Sequence, residues 1–138
     1  MKYVFIDTTP LGAFDNPLDQ HYEKSKEILD DLIREETQLI TTDYVIDEVA
    51  TLLISKVKGG YHLAVNLLEW IFTFKSGIRI EWIDKIRFKK AKAIFKRFNK
   101  DKDWSFTDCT SYVIMKELKI DTAFTFDAHF KQMGFKIL

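Results

Sequence analysis

Short apolar runs alternate with longer stretches of helical periodicity along this 138-residue chain. The runs are rich in β-branched and aromatic side chains and hold four to six residues each, which is typical of buried strands. They are residues 2–6, 38–42, 78–83, 122–126 and 135–138. Strands separated by helices predict an α/β domain with a mainly parallel central sheet.

The stretches between these runs predict helices, because their apolar residues recur with the spacing of one helical face. A first short helix has Thr9 as its N-cap and Pro10 at its first position, and it ends at Asn16–Pro17. The others span residues 18–36, 43–60, 61–77, 84–99 and 105–120. No linker or repeat divides the chain, so residues 1–138 are predicted to form one domain.

Composition then narrows the class of protein. Hydrophobic residues make up 46% and charged residues 30%, the balance of a soluble domain, and no apolar run approaches the roughly 18 residues of a membrane span. An acid interrupts the first apolar run, so we expect no secretory signal there. The single cysteine, Cys109, excludes an internal disulfide, favours a reducing cytoplasm and is expected to be a packing residue.

The formal net charge of zero conceals an asymmetry along the chain. Residues 1–84 hold 8 Lys or Arg and 15 Asp or Glu, whereas residues 85–138 hold 13 and 6. The segment from Lys85 to Lys102 contributes nine basic residues and one acid. Such polarity indicates an anionic partner, although a solvated helix face is the alternative.

Four acids occupy positions that the predicted topology brings together. Asp7 follows the first strand, Asp127 follows the strand at 122–126, Glu48 lies about one and a half turns into a helix, and Asp108 lies in the first turn of another. Sites in parallel sheets form beyond the carboxyl ends of the strands, so we expect one shared cleft. Clustered carboxylates repel one another unless they share protons or bind cations, and their oxygen ligands favour Mg²⁺ or Mn²⁺.

Each acid also has a structural interpretation. Asp108 follows Ser105 at capping-box spacing, so the alternative for this acid is a role in capping its helix. Asp7 and Asp127 are also placed as turn residues, and Glu48 as a solvated helix residue. Joint placement favours the site, to which Asp103 and His129 are the further candidates.

Four segments resemble the successive signature segments of PIN domains, and in particular those of VapC-type toxin nucleases. They are "FIDTTPLGAF", "TTDYVIDEVATLL", "DKDWSFTDCTSYVIMKEL" and "TAFTFDAHFKQMGF", in the family's order and spacing from about residue 3 to 135. The family's metal-binding acids fall on Asp7, Glu48, Asp108 and Asp127, and its hydroxyl residue two after the first acid falls on Thr9. Pro10 departs from the family pattern, which more often has an apolar residue there.

The resemblance implies a three-layer α/β/α fold. It implies an endoribonuclease that depends on Mg²⁺ or Mn²⁺ and cleaves RNA. The four acids and Thr9 would catalyse this cleavage. The resemblance also implies the toxin of a VapBC-type pair: a cytoplasmic homodimer inhibited by a VapB-like antitoxin. Exposed aromatic residues of the 61–76 helix, including Trp70 and Phe74, would suit such an interface. The alternative is a catalytically silent PIN-like module that binds RNA or protein. A second enzyme alternative is an aspartate-based phosphatase or phosphotransferase. Thr9 disfavours it, because such an enzyme requires a second acid two residues after the first.

Overall fold

A wholly parallel sheet of five short strands forms the centre of the structure, a computed structural model that describes residues 2–138. The strands are β1 (Tyr3–Ile6), β2 (Gln38–Thr42), β3 (Ile78–Glu81), β4 (Thr122–Phe124) and β5 (Lys136–Ile137). Their order in the sheet is β3-β2-β1-β4-β5. The predicted α/β class with a mainly parallel sheet is confirmed.

Seven α-helices connect and cover these strands within residues 2–138. They are α1 (Thr8–Phe14), α2 (Tyr22–Arg34), α3 (Asp43–Lys56), α4 (Gly60–Ile71), α5 (Lys85–Phe98), α6 (Phe106–Glu117) and α7 (His129–Gln132). Over the described part of the chain, no helix combines the length and the apolar character that crossing a bilayer needs.

Crossover handedness explains the three layers. From β1 the chain moves through β2 to β3 on one side of the sheet, then crosses back past β1 to reach β4 and β5. Because parallel crossovers are right-handed, reversing direction along the sheet moves the connecting helices to the opposite face. Helices α1–α4 therefore cover one face and α5–α7 the other, the three-layer arrangement that was predicted.

The buried core lies on both faces of the central strands. Phe5, Ile6 and Phe124 of β1 and β4 are fully buried, as are Ile114 of α6 and Phe130 of α7. Cys109 also lies in this core, and burial raises the pKa of its thiol to about 11. The expectation that Cys109 is a packing residue agrees with this position.

Two local predictions were wrong. Asp7, not Thr9, is the N-cap of α1, so Pro10 lies at the third helical position. Proline is tolerated there because the first-turn N–H groups have no partner within the helix. Helix α7 was not predicted, since four residues are too few to show helical periodicity.

The helical spacing of apolar residues in α5 predicts a buried stripe of Ala91, Ile94, Phe95 and Phe98, of which the structure buries only part. Ala91 is fully buried, but Ile94 is half-buried and Phe95 and Phe98 are partly exposed. The helix lies at the periphery against α6, where aromatic rings of α5 pack around Phe106. One side of α5 therefore leaves apolar surface open to solvent.

Candidate functional site

All four predicted acids line one cleft beyond the carboxyl ends of β1 and β4. These strands flank the point where the strand order reverses, which is where parallel sheets form their sites. The cleft has a volume of about 260 Å³. Its lining residues are Asp7, Thr8, Thr9, Glu48, Leu52, Asp103, Ser105, Asp108, Asp127 and His129.

Asp7 lies at the floor of the cleft, directly after β1, and is only 3% exposed. The Thr125 hydroxyl donates a hydrogen bond of 2.8 Å to its Oδ2, and its own backbone N–H donates to the carbonyl of Phe124. Burial is the main cause that raises the pKa of Asp7 to about 7, and the negative charges of Asp108 and Glu48 add to it. The backbone N–H of Thr8 and the hydroxyl of Thr125 favour the charged carboxylate and so lower the pKa of Asp7 in part.

Glu48 reaches the cleft from α3. The Thr42 hydroxyl caps this helix by accepting the backbone N–H of Val45, which fixes where the helix begins after β2. Glu48 Oε2 accepts a hydrogen bond of 2.8 Å from the Thr8 hydroxyl. Helices α1 and α3 are thus joined across the cleft by a bond that holds one Glu48 oxygen.

Asp108 is both a helix cap and a member of the cleft. Its backbone N–H donates to the Ser105 hydroxyl, and its Oδ2 accepts the Ser105 backbone N–H at 3.0 Å, so the predicted capping box is present. The same Oδ2 lies 2.7 Å from Nδ1 of His129. Two contacts on one oxygen hold this carboxylate in a single orientation.

Asp127 and His129 complete the rim of the cleft. Asp127 Oδ1 accepts the His129 backbone N–H at 3.0 Å and lies 3.3 Å from His129 Nδ1. Nε2 of the same ring lies 3.2 Å from Asp103 Oδ1. Partial burial opposes a charged ring, but the hydrogen bond to Asp108 and the charges of Asp108, Asp127 and Asp103 raise the pKa of His129 overall.

Thr9 lines the cleft, as predicted for a residue of the site, and its hydroxyl contacts the neighbouring chain. Its hydroxyl oxygen accepts the backbone N–H of Phe126 at 3.1 Å, which ties the start of α1 to the segment that carries Asp127. Its neighbour Thr8 instead donates its hydroxyl proton to Glu48, as Thr125 does to Asp7. Direct participation of Thr9 in catalysis stays a prediction.

The donor set fits a hard divalent cation. Among residues 2–138, one ligand atom each from Asp108, Asp127 and His129 lie within 4.8 Å of one another, a group that includes neither Asp7 nor Glu48. Yet Glu48, Asp108 and Asp127 each keep a second oxygen that accepts no hydrogen bond from any described residue. Carboxylate oxygens around an aqueous cleft suit Mg²⁺ or Mn²⁺, whose charge would offset the repulsion between the acids.

Two residues of the site carried no usable signal in the sequence. Thr8 and Thr125 hold Glu48 and Asp7 through side-chain bonds that span 40 and 118 residues of chain. Both threonines lie within two residues of a predicted acid, but this position does not show which carboxylate the hydroxyl contacts. His129 and Asp103, considered as further candidates, both line the cleft.

Comparison with known proteins agrees with the observed fold. The model of the PIN domain family matches residues 4–136. The chain is 25% identical over 132 residues to the 23S rRNA-specific endonuclease VapC20 of Mycobacterium tuberculosis, covering 96% of this chain and 95% of the relative. The crystal structure of VapC20, described as a sarcin–ricin loop cleaving toxin, superposes with a TM-score of 0.83 over the same shares of the two chains.

Two more distant structures share the fold alone. FitAcB from Neisseria gonorrhoeae has a TM-score of 0.66 at 17% identity, covering 98% of this chain and 96% of its own. FitAB bound to a DNA fragment has a TM-score of 0.68 at 18% identity, covering 98% and 93%. The family match spans nearly all of the chain, and the predicted resemblance to VapC-type nucleases is confirmed: this chain belongs to the PIN domain family.

Proposed function

We propose that this protein is an Mg²⁺- or Mn²⁺-dependent endoribonuclease of the VapC toxin type, which hydrolyses phosphodiester bonds of RNA. The observation that carries the proposal is the gathering of Asp7, Glu48, Asp108 and Asp127 around one cleft at the switch point of the sheet. RNA as the substrate class is supported by the relative VapC20, whose name describes an rRNA endonuclease.

Asp7, Glu48, Asp108 and Asp127 would hold the cation through their oxygens. When bound, it supplies polarisation of a phosphoryl oxygen and activation of the attacking water. Glu48 has one oxygen held by Thr8, so its second oxygen would serve either the cation or the proton of the attacking water. His129 is a positioning residue, because its ring contacts Asp108 and Asp127 together.

The basic segment Lys85–Lys102 is the proposed track for the RNA backbone. Lys89, Lys92 and Lys96 are exposed and form no ion pair with any acid among residues 2–138. The segment leads directly to Asp103 and Ser105 at the mouth of the cleft. Unpaired lysines next to an acidic site would draw the phosphates toward it.

A homodimer and a VapB-like antitoxin are the proposed protein partners, and a cytoplasmic location belongs to the same proposal. Apolar surface at and after α4 supports an interface: Phe74 is fully exposed, and Tyr61 and Phe72 are more than half exposed. Trp70, predicted to be exposed, is half-buried against Phe14. Sedimentation equilibrium should show a dimer that Phe74→Ser weakens, and a monomeric wild type would contradict this part.

The test of the proposed function is RNA cleavage by the purified protein with Mn²⁺ and with EDTA. Asp108→Asn keeps an oxygen able to accept the Ser105 N–H, so the helix cap survives while the carboxylate is lost. Cleavage should disappear in EDTA and fall at least about a hundredfold in Asp108→Asn. Asp30→Asn, an exposed acid on α2, is the matched control and should cleave like the wild type.

Two outcomes would contradict the proposal. Equal cleavage by the wild type, by Asp108→Asn and in EDTA would mean that the activity does not come from this cleft. RNA binding without any cleavage by the wild type would instead favour the catalytically silent module.

A further inference from the structure

A second concavity lies beside the acidic cleft, between α1 and α3. Its volume is about 290 Å³, and it shares Thr8, Thr9 and Leu52 with the cleft. We call it the α1–α3 groove. Its other walls include Gly12, Asp19, Gln20, His21, Val49 and Lys56.

The walls of the groove are mainly apolar and polar groups lie at its edges. Val49 and Leu52 of α3 form one side, with Leu52 left 40% exposed. At the end nearest Asp127, the His21 ring stacks on Phe126 with centroids 4.0 Å apart and planes 7° from parallel. Gln20 and Lys56 are exposed, so an amide and an ammonium group border the apolar part.

Gly12 indicates that the space beside α1 is kept open. A glycine inside a helix costs about 0.5–1 kcal/mol relative to alanine, so its presence requires a reason. Packing does not supply one, because a Cβ at Gly12 would meet a single side-chain atom, Val49 Cγ1, at 4.0 Å. The missing side chain instead lets a flat group approach the helix backbone.

We propose that the α1–α3 groove binds an unpaired nucleobase of the RNA, from a nucleotide beside the bond that is cut. This inference rests on the proposed ribonuclease function. Three features support it: three lining residues shared with the acidic cleft, apolar walls beside an aromatic stack, and an amide at the edge that suits a base edge. Asp19, which also lines the groove, disfavours a phosphate there.

The volume and the shape limit the occupant. About 290 Å³ is at the low end of small-molecule sites, enough for one base and its sugar. A base stacked within a duplex cannot enter, so the RNA must present a single-stranded or looped residue at this point. The α1–α3 groove therefore selects for unpaired RNA near the cleavage site.

Direct binding tests the groove without relying on cleavage. Anisotropy of a fluorescein-labelled eight-nucleotide RNA in EDTA is compared with that of an equally long oligomer of abasic ribose phosphates. Gly12→Leu fills the groove, and Gly12→Ala adds only the Cβ that has room there. Gly12→Leu should bind the RNA about tenfold more weakly than the wild type, with Gly12→Ala between the two and no difference among the three for the abasic oligomer.

Two results would overturn the inference. An RNA affinity of Gly12→Leu equal to that of the wild type would show that no base enters, as expected of a groove that receives a protein segment. Equal weakening for both oligomers would show that the groove holds the backbone or that the variant is distorted. Should Gly12→Leu fail to fold, Leu52→Ala replaces it and should weaken RNA binding several-fold while leaving the abasic oligomer unaffected.

A cleavage comparison separates this inference from the proposed function. With Mn²⁺, Gly12→Leu should lose about tenfold in kcat/KM on RNA and keep the wild-type rate on the abasic oligomer, which offers phosphodiester bonds but no nucleobase. A wild type that cleaves neither substrate would contradict the proposed function, and the EDTA binding comparison would still decide the role of the groove.

Discussion

Two adjacent threonines carry the same functional group and serve different contacts. Thr8 donates its hydroxyl proton to Glu48, whereas Thr9 accepts the backbone N–H of Phe126. The difference follows from their places in the first turn of α1, where Thr8 is buried and Thr9 is exposed. One therefore holds an acid of the cleft, and the other holds the chain that precedes Asp127.

Replacing Thr8 by valine should impair metal-dependent cleavage more than replacing Thr9 does. Thr8→Val keeps the shape but releases Glu48 Oε2 from its only hydrogen bond among residues 2–138, so we expect about a tenfold loss of activity and of apparent Mn²⁺ affinity. Thr9→Val is the matched control, expected to lose less. Cleavage rates across a Mn²⁺ titration measure both, and a larger loss in Thr9→Val would reverse the assignment.

The buried carboxyl of Asp7 makes the stability of the metal-free protein depend on pH. Folding raises its pKa from 3.8 to about 7, so below about pH 4 the group is protonated in both states and contributes nothing. Between about pH 4 and 7 the unfolded chain loses the proton and the folded chain retains it. The contribution of this group to the free energy of unfolding therefore falls as pH rises, by up to about 4 kcal/mol.

Urea unfolding in EDTA measures this dependence. Asn cannot ionise, so the stability of Asp7→Asn relative to the wild type should increase between about pH 4 and 7 and level off above that range. A difference between the two proteins that stays constant with pH would contradict the pKa assigned to Asp7.

At the scale of elements, α5 carries one basic side chain that binds neighbouring elements, Arg87, and others that form no ion pair among residues 2–138, such as Lys89 and Lys92. Arg87 donates hydrogen bonds to Glu117, Glu81 and the carbonyl of Trp82, and so joins α5 to β3 and α6. The bond to Glu117 is the main cause that raises the pKa of Arg87. Lys89 and Lys92 have no such partner within residues 2–138, which leaves them available for phosphates.

Reversing two of these free charges should weaken RNA binding and reduce its dependence on salt. Each lost phosphate contact lowers the salt slope by about 0.7 for single strands, so Lys89→Glu with Lys92→Glu should lower it by roughly 1.4. Lys24→Glu with Lys75→Glu changes the net charge equally on other elements. Filter binding between low and high salt measures the slopes, and equal slopes for the two double variants would remove α5 as the track.

At the scale of the whole molecule, local patterns predicted what is determined locally. The strand runs and their following acids gave the parallel fold and the place of Asp7 and Asp127, because strand direction alone sets which edge they share. The hydrogen bonds of Thr8 and Thr125 to the acids were not predicted, because they depend on how elements distant in sequence pack. The exposure of Phe95 and Phe98 was not predicted, because helical periodicity does not show how much of a peripheral helix is covered by other elements.

The central claim is that the four carboxylates hold a divalent cation on which RNA cleavage depends. Titrating Mn²⁺ into the metal-free protein, with bound Mn²⁺ followed by electron paramagnetic resonance and RNA cleavage followed in the same samples, tests it most directly. Cleavage should rise with Mn²⁺ occupancy, and Asp7→Asn should lower both by at least about tenfold while Asp30→Asn lowers neither. Full cleavage by metal-free protein, or equal Mn²⁺ binding and cleavage by Asp7→Asn and the wild type, would contradict the claim.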